Sequence, residues 1–267
     1  MTDQSKPVSR PWRRFLRFSV RRMVVVVLLI GVLLGWIARV VRTAQAQRDA
    51  VTAIQKSGGS VCYDWEWRNQ AQIEGGKPWA PELLVDVFGA DYFGHVTVVY
   101  LLDASDRELL QLESLVQIQW LVIVDPHITD ASLVHLKPLT RLRSLTLRGE
   151  KVTDAEIDQL KGLTNLEWLD LGDTQVTDAG LSDLEGLTKL SVLSLMNAQV
   201  TDDGLVRLRG LTNLTELILL NTKVTDAGLT HLKGLTNLSK LHLGETQVTE
   251  AGVNELKQAL PRLTVDR

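Results

Sequence analysis

The chain has one cysteine in 267 residues, Cys62. That excludes an internal disulfide. In an oxidising compartment a lone thiol pairs only with another chain, and the simpler reading is an inert, partly buried residue. No cysteine closely follows the one long apolar run, so no lipoprotein signal is present to argue from. The five histidines are His95, His127, His135, His231 and His242. No two of them have H-E-x-x-H or other metal-ligand spacing. Gly76-Lys77 is followed by Pro78, and Ala71 stands where a phosphate loop needs Gly. No G-x-S-x-G elbow occurs. The sequence therefore nominates no catalytic residue, no cofactor, no small-molecule cofactor site and no metal ligand.

What the chain does have is a 24-residue period. Val152-Thr-Asp-Ala-Glu-Ile, Val176-Thr-Asp-Ala-Gly-Leu, Val200-Thr-Asp-Asp-Gly-Leu and Val224-Thr-Asp-Ala-Gly-Leu start 24 residues apart. A period of this size marks a solenoid. Each unit has seven apolar slots, as in Val176, Leu181, Leu184, Leu187, Leu190, Leu193 and Leu195. Steps of three predict one buried stripe on a short helix; the step of two predicts a strand with one buried face. Ordering costs about 1–2 kcal/mol per residue, which seven buried side chains do not offset, so one unit alone does not fold. The Thr-Asp pairs (Thr129-Asp130, Thr153-Asp154, Thr177-Asp178, Thr201-Asp202, Thr225-Asp226) read as N-cap and first-turn anion. Ser105…Glu108 and Thr153…Glu156 have capping-box spacing. Interleaved Asp and Gly, which a calcium loop needs, are missing from the acidic column. The expected units are Ala104–His127, Ile128–Lys151, Val152–Gln175, Val176–Gln199, Val200–Lys223 and Val224–Gln247. A terminal Val248–Arg267 follows, with one extra residue near Pro261 and a strand at Leu263–Val265.

The front of the chain is different. Met23–Ala38 holds no charge, and residues 23–41 reach the length of a membrane span. Trp12 and Trp36 flank it. Lys6, Arg10, Arg13, Arg14, Arg17, Arg21 and Arg22 precede it; Arg39, Arg42 and Arg48 follow. The positive-inside rule places residues 1–22 in the cytoplasm and the repeats outside. Ala44-Gln-Ala46 resembles a signal-peptidase site, which keeps secretion after cleavage near Ala46 as an alternative. Residues 1–48 carry ten Lys/Arg and one acid, a net +9, so with the whole chain at −3 residues 49–267 carry −12. Such an acidic part argues against nucleic acid as a partner. Residues 42–60 read as a helical stem with a Gly-Gly turn, and 61–103 as an N-terminal cap. Within the cap the pattern predicts a strand over Val61–Trp67, a loop over Asn69–Pro81, a helix over Glu82–Phe88 and a strand over Val96–Leu102. Trp65, Trp67 and Trp79 are expected in the cap's core. Residues 104–247 are the repeats and 248–267 a capping repeat.

Leu166-Glu-Trp-Leu169-Asp-Leu171-Gly-Asp-Thr174 resembles the leucine-rich repeat, with Thr174, Thr222 and Thr246 where Asn or Cys is usual. Thr hydroxyls there are expected to serve neighbouring backbone groups in place of an Asn ladder, interrupted at Glu150 and Ala198. Ala50-Val51, Ile54, Gly58-Gly59, Tyr63-Asp64 and Gly162-Leu-Thr-Asn-Leu166 extend the likeness to bacterial membrane-anchored leucine-rich-repeat proteins. That resemblance implies an α/β right-handed solenoid, or horseshoe. Its parallel β-sheet lines the concave side, its short helices lie outside, and one transmembrane helix precedes it.

In such a repeat the residues beside the strand leucines face outward. The candidate partner-binding residues are Trp120, Val122, Arg148, Trp168, Asp170, Met196, Ile218, Leu220 and His242. Exposed aromatic and Met side chains on one face favour a protein or envelope ligand. Two other readings stand beside this one. In the first, a structural solenoid associates with itself or spaces envelope layers with no specific ligand; the bland reading of the face is that its residues merely shield the sheet from water or contact the caps. In the second, an enzyme site lies in the cap around Asp64, Glu66 and His95.

Overall fold

The computed structural model describes residues 20–68, 71–73, 75–102, 106–124 and 132–267. The expectations for the basic start as far as Arg17 and for Trp12 lie outside the described residues. So do those for Ser105, for Thr129-Asp130 and for the unit boundaries at Ala104, His127 and Ile128. The chain forms two compact units, one ending at Thr43 and one running from Ala44 to Arg267.

Helix α1, Val20–Lys56, runs through that boundary. Its most apolar 18 residues average a hydropathy of 2.7 and none of them is buried, so it is long and apolar enough to cross a membrane. Its last turns belong to the second unit. There Ala44, Gln47, Ala50, Val51 and Ile54 are buried at steps of three and four, the signature of one packed helical stripe. Gly58, at φ 86°, turns the chain out of the helix.

The cap follows. Strand β1 (Ser60–Tyr63) is antiparallel to β4 (Val96–Leu102), with a register shift at Cys62/Tyr63. The strand expected to run to Trp67 stops four residues short. The Glu66 carboxylate accepts from the Tyr63 amide (2.9 Å) while the Glu66 amide donates back to the Tyr63 carbonyl (2.9 Å), which closes a turn. A small hairpin of β2 (Trp67–Arg68) and β3 (Ala71–Gln72) then occupies part of the segment read as a loop. Helix α2 spans Glu82–Phe88.

The repeats supply α3 (Asp106–Leu112), β5 (Trp120–Val124), β6 (Ser144–Arg148), α4 (Asp154–Ile157), β7 (Trp168–Asp170), β8 (Val192–Ser194), α5 (Asp202–Leu205), β9 (Glu216–Ile218), α6 (Asp226–Leu229), β10 (Lys240–His242), α7 (Glu250–Ala259) and β11 (Thr264–Asp266). Nine strands form one sheet in the order β1-β4-β5-β6-β7-β8-β9-β10-β11. From β4 onward every pair is parallel, and Trp120, Ser144, Trp168, Val192, Glu216, Lys240 and Thr264 stand in one row. The pairing register thus repeats the sequence period. Leu and Val from every unit join one continuous core from Ala50 to Leu263.

The outer segments are thinner than whole α-helices. Single α turns pass into 3-10 turns, as α4 does at Asp158–Leu160, and Gly180–Leu184 is 3-10 throughout. Packed α-helices need about 8–10 Å between axes, whereas strands stack about 4.8 Å apart. Thin turns reduce that mismatch.

Polar ladders tie one unit to the next. In the first, Asp154 accepts from the Thr177 amide (2.7 Å) and hydroxyl (2.6 Å). Asp178 serves Thr201, Asp202 serves Thr225 and Asp226 serves Thr249 in the same way. The Thr hydroxyls cap their own turns, accepting from Ala179, Asp203, Ala227 and Gly252 amides. Each Asp thus does more than sit at a helix start: it clamps the following unit. A Cβ at Gly180, Gly204, Gly228 or Gly252 would fall on that carboxylate, which explains the Gly of the Thr-Asp-x-Gly motif. The exception supports the rule. Glu156 occupies the Gly position, and its own carboxylate takes the Thr153 amide (2.6 Å) and hydroxyl (2.9 Å).

In the second ladder, Asn165, Asn213 and Asn237 donate to the carbonyls of Thr140, Thr188 and Thr212, each at 2.8 Å. The third joins Asp173, Asn197 and Asn221 side chain to side chain, at φ 58°, 60° and 52°, with Glu245 next in the column. Asp and Asn tolerate that backbone region better than other residues with a Cβ. The expected Thr ladder takes another form. Thr174, Thr222 and Thr246 hydroxyls donate to Leu171, Leu219 and Leu243 carbonyls three residues back, closing their own turn rather than bridging units.

Candidate functional site

The inward Leu pairs decide what the sheet presents. Leu169 and Leu171 are fully buried, so the alternating residues of that strand, Trp168 and Asp170, face the other way. Along the sheet these outward residues form rows. The first passes through Val98, Trp120, Ser144, Trp168, Val192, Glu216 and Lys240. The second passes through Tyr100, Val122, Thr146, Asp170, Ser194, Ile218, His242 and Asp266.

Trp120 and Trp168 flank Ser144 two strands apart, about 10 Å by strand spacing. Between them lies a slot of about 190 Å³ lined also by Arg143, Glu167, Ser191 and Val192. Arg143 and Glu167 form an ion pair at 3.4 Å on its rim. Trp168 is 40% exposed, the most open large apolar residue of the repeat strands. Trp120 is half-buried because the hairpin residue Trp67 packs on it, ring centroids 5.4 Å apart. Trp67 Nε1 is buried with no hydrogen-bond partner among the described residues.

The other outward residues divide into separate groups. Arg148 reaches Asp170 through Nε (2.9 Å) and Nη2 (2.7 Å) and lies 3.7 Å from Asp173. The other Asp170 oxygen accepts from the Gly172 amide at 2.9 Å, and Asp170 is buried. A Cβ at Gly172 would press on this pair, so glycine makes room for it. Val122 lies half-buried one strand from Thr146. Beyond buried Ser194 come Met196, Ile218 and Leu220, all half-exposed. His242 stands between Glu216 (3.1 Å) and Asp266 (3.0 Å), and Lys240 approaches Glu216 at 3.5 Å. The nine candidates therefore do not form one apolar patch. Eight of them divide into an aromatic slot (Trp120, Trp168), a clamped Arg148–Asp170 pair, an apolar group (Met196, Ile218, Leu220) and a His242–carboxylate cluster, and Val122 stands apart. Reading the strand leucines missed the contributions of Trp67, Arg143, Glu167 and Ser191. Arg143, Glu167 and Ser191 occupy the variable position after a core Leu, which was their only signal.

The cap aromatics also depart from expectation. Trp79 is 80% exposed and Trp65 and Trp67 only half-buried, so none of them forms a closed cap core. Tyr63 stacks on Trp65 at 4.6 Å, and its hydroxyl donates to Asp91 at 2.8 Å. Burial, then that hydrogen bond and the nearby carboxylates, push the Tyr63 phenol well above its ordinary range. Burial and Glu66 likewise raise the Cys62 thiol, which leaves less of the reactive thiolate. No group of three metal-ligating side chains gathers among the described residues.

A stack of parallel three-to-five-residue strands, thin outer turns and a Leu-filled core defines a leucine-rich-repeat solenoid. The family described as "Leucine rich repeat" matches residues 140–200. The fold is similar to an internalin (inlF) from Listeria monocytogenes at 23% identity and TM-score 0.51, covering 64% of this chain and 47% of that one. It is also similar to an internalin C2 (inlC2) from Listeria monocytogenes at 22% identity and TM-score 0.51, covering 82% of this chain and 92% of that one. The chain thus spans about half the length of the first of these structures. No curated protein matches the chain by sequence.

Proposed function

We propose that this is a membrane-anchored interaction protein whose repeats lie outside the cytoplasmic membrane and bind a protein or envelope ligand through the sheet face. Leucine-rich-repeat solenoids generally serve protein–protein contact rather than catalysis, and the internalin-like fold is compatible with that use. The carrying observation is the Trp120–Trp168 slot: a formed depression between two aromatic side chains, with an ion pair on its rim. Aromatic anchors with a polar surround are the usual make-up of a binding hot spot.

Residues 23–41 hold the anchor, with residues 1–22 in the cytoplasm by the charge asymmetry. Retention of the anchor is supported by Arg39 and Arg42, which lie between the apolar run and Ala44-Gln-Ala46, an unusual setting for a cleavage site. The test is capture from envelope extract by the full chain beside a Trp168→Ala, Ile218→Glu variant checked by circular dichroism. Loss of the captured band in the folded variant is expected; retained capture refutes sheet-face binding.

A further inference from the structure

Helix α2 is inside out. Its seven residues, Glu82-Leu-Leu-Val-Asp-Val-Phe88, include none that is buried. Leu83 (73% exposed), Leu84, Val87 and Phe88 fall at i, i+1, i+4 and i+5, one side of a helix. Glu82 and Asp86 hold the other side, and Glu82 is paired with Lys77 at 2.7 Å. Trp79, beside the start of α2, is the most exposed large apolar residue among the described residues, and its ring meets Phe93 edge-on at 5.6 Å. A soluble helix turns such a stripe to the core; here Leu83, Leu84, Val87 and Phe88 face solvent, with exposed Trp79 just ahead of them in the chain.

The patch is fastened to α1. Arg48 Nη2 donates to the Phe88 carbonyl at 2.6 Å, and its guanidinium lies 3.6 Å from Asp91. Gln47 donates to Asp91 and to the Gly94 carbonyl, each at 3.1 Å. Gly89 has φ 93°, and a Cβ there would collide with the Arg48 guanidinium, so the chain passes α1 as closely as it can. Gln47 lies six residues along the chain from Val41, the end of the apolar run. Even a fully extended chain covers at most about 3.5 Å per residue, or about 21 Å in all. Gln47 and Arg48, which hold Phe88, Asp91 and Gly94, are therefore tethered close to the end of the apolar run.

We propose that the Trp79–Phe88 patch rests in the interfacial layer of the bilayer that holds α1. Its composition suits that layer: a Trp and a Phe with aliphatic neighbours, over a face carrying Lys77 and carboxylates. The patch then adds a second membrane contact beside the span. This rests on residues 23–41 spanning the membrane.

The test uses the full chain with Cys62→Ser, reconstituted into phosphatidylcholine/phosphatidylglycerol vesicles. A nitroxide is placed singly at Val32→Cys, Leu83→Cys, Val87→Cys or Thr212→Cys. Collision with oxygen and with a water-soluble nickel chelate reports depth. The inference expects labels at 83 and 87 to show several-fold lower nickel and higher oxygen collision than the label at 212, at a shallower depth than 32. If 32 is lipid-embedded while 83 and 87 match 212, the docking is overturned and the anchor stands. If 83 and 87 exclude both reagents, the patch is covered by protein, for instance a second copy, and the docking is again overturned. If 32 itself is water-exposed, the anchor and the docking fail together.

Discussion

Gly228→Ala should destabilise the protein even though it replaces a glycine inside a helical turn. In the absence of other contacts that change gains about 0.5–1 kcal/mol in helix propensity. Here the new Cβ would land on the Asp202 carboxylate and crowd Leu205. Relieving that clash means displacing a carboxylate that accepts from the Thr225 amide at 2.8 Å and hydroxyl at 2.6 Å. Hydrogen bonds to a charged group contribute about 1.5–3 kcal/mol when buried. Thr225 and Asp202 are only half-buried, so about half that is appropriate for each. The net expectation is a loss of about 1–2 kcal/mol, a fall in Tm of roughly 2–8 °C for a unit of this size. Asp202→Ala should cost a similar amount. The informative variant is Asp202→Ala with Gly228→Glu. It copies the Thr153/Glu156 arrangement, in which a glutamate in the glycine position serves its own threonine. Thermal unfolding of the full chain in detergent, followed by circular dichroism, should place this pair well above the sum of its single changes. A stable Gly228→Ala, or a double variant no better than additive, would refute the clamp.

Further expectations follow from the same ladders. Hydrogen bonds from the Thr249 hydroxyl and amide hold the Asp226 carboxyl below its ordinary 3.8. Its contribution is therefore complete above that value and lost as pH falls through the lower folded-state one. α7 should loosen below about pH 4 in wild type, by hydrogen exchange, and Asp226→Asn should lose that dependence. Glu245 sits at φ 60° in a column otherwise made of Asp and Asn. Glu245→Asn should stabilise by about 0.5–1 kcal/mol in denaturant unfolding by relieving that backbone conformation. Lys189 occupies the place of Asn165, Asn213 and Asn237 and instead donates to Asn165 at 2.7 Å. Lys189→Asn should extend the carbonyl ladder to Thr164, worth about 0.5–1.5 kcal/mol in the same assay.

The period and the buried slots were legible because each Leu repeats at a fixed offset, and the strand register follows that offset residue for residue. Pairwise chemistry across units was not. Nothing in Thr-Asp-Ala-Gly-Leu says that the Asp serves the threonine 23 residues on, because single-unit reading offers a sufficient local role as a first-turn anion. The glycine was the overlooked signal: a residue poor in helix propensity, repeated in a helical turn, marks a close approach. The sheet-face positions were readable from alternation alone. Their division into a slot, an Arg148–Asp170 pair and a His242 cluster depended on which long side chains meet across strands, and on Trp67 arriving from the cap hairpin. The outward face of α2 was hidden for a different reason. Leu, Val and Phe at helical spacing normally signal core, and only the packing of the neighbours shows that nothing covers them.

Site-specific cross-linking tests the central claim most directly. A benzophenone side chain at Val192, which lines the aromatic slot, is compared with one at Thr212 on an outer turn, in the full chain in membranes. Sheet-face binding predicts one discrete adduct from 192, lost on Trp168→Ala, and none from 212. Equal adducts from both positions, or an adduct from 192 that survives Trp168→Ala, would contradict it.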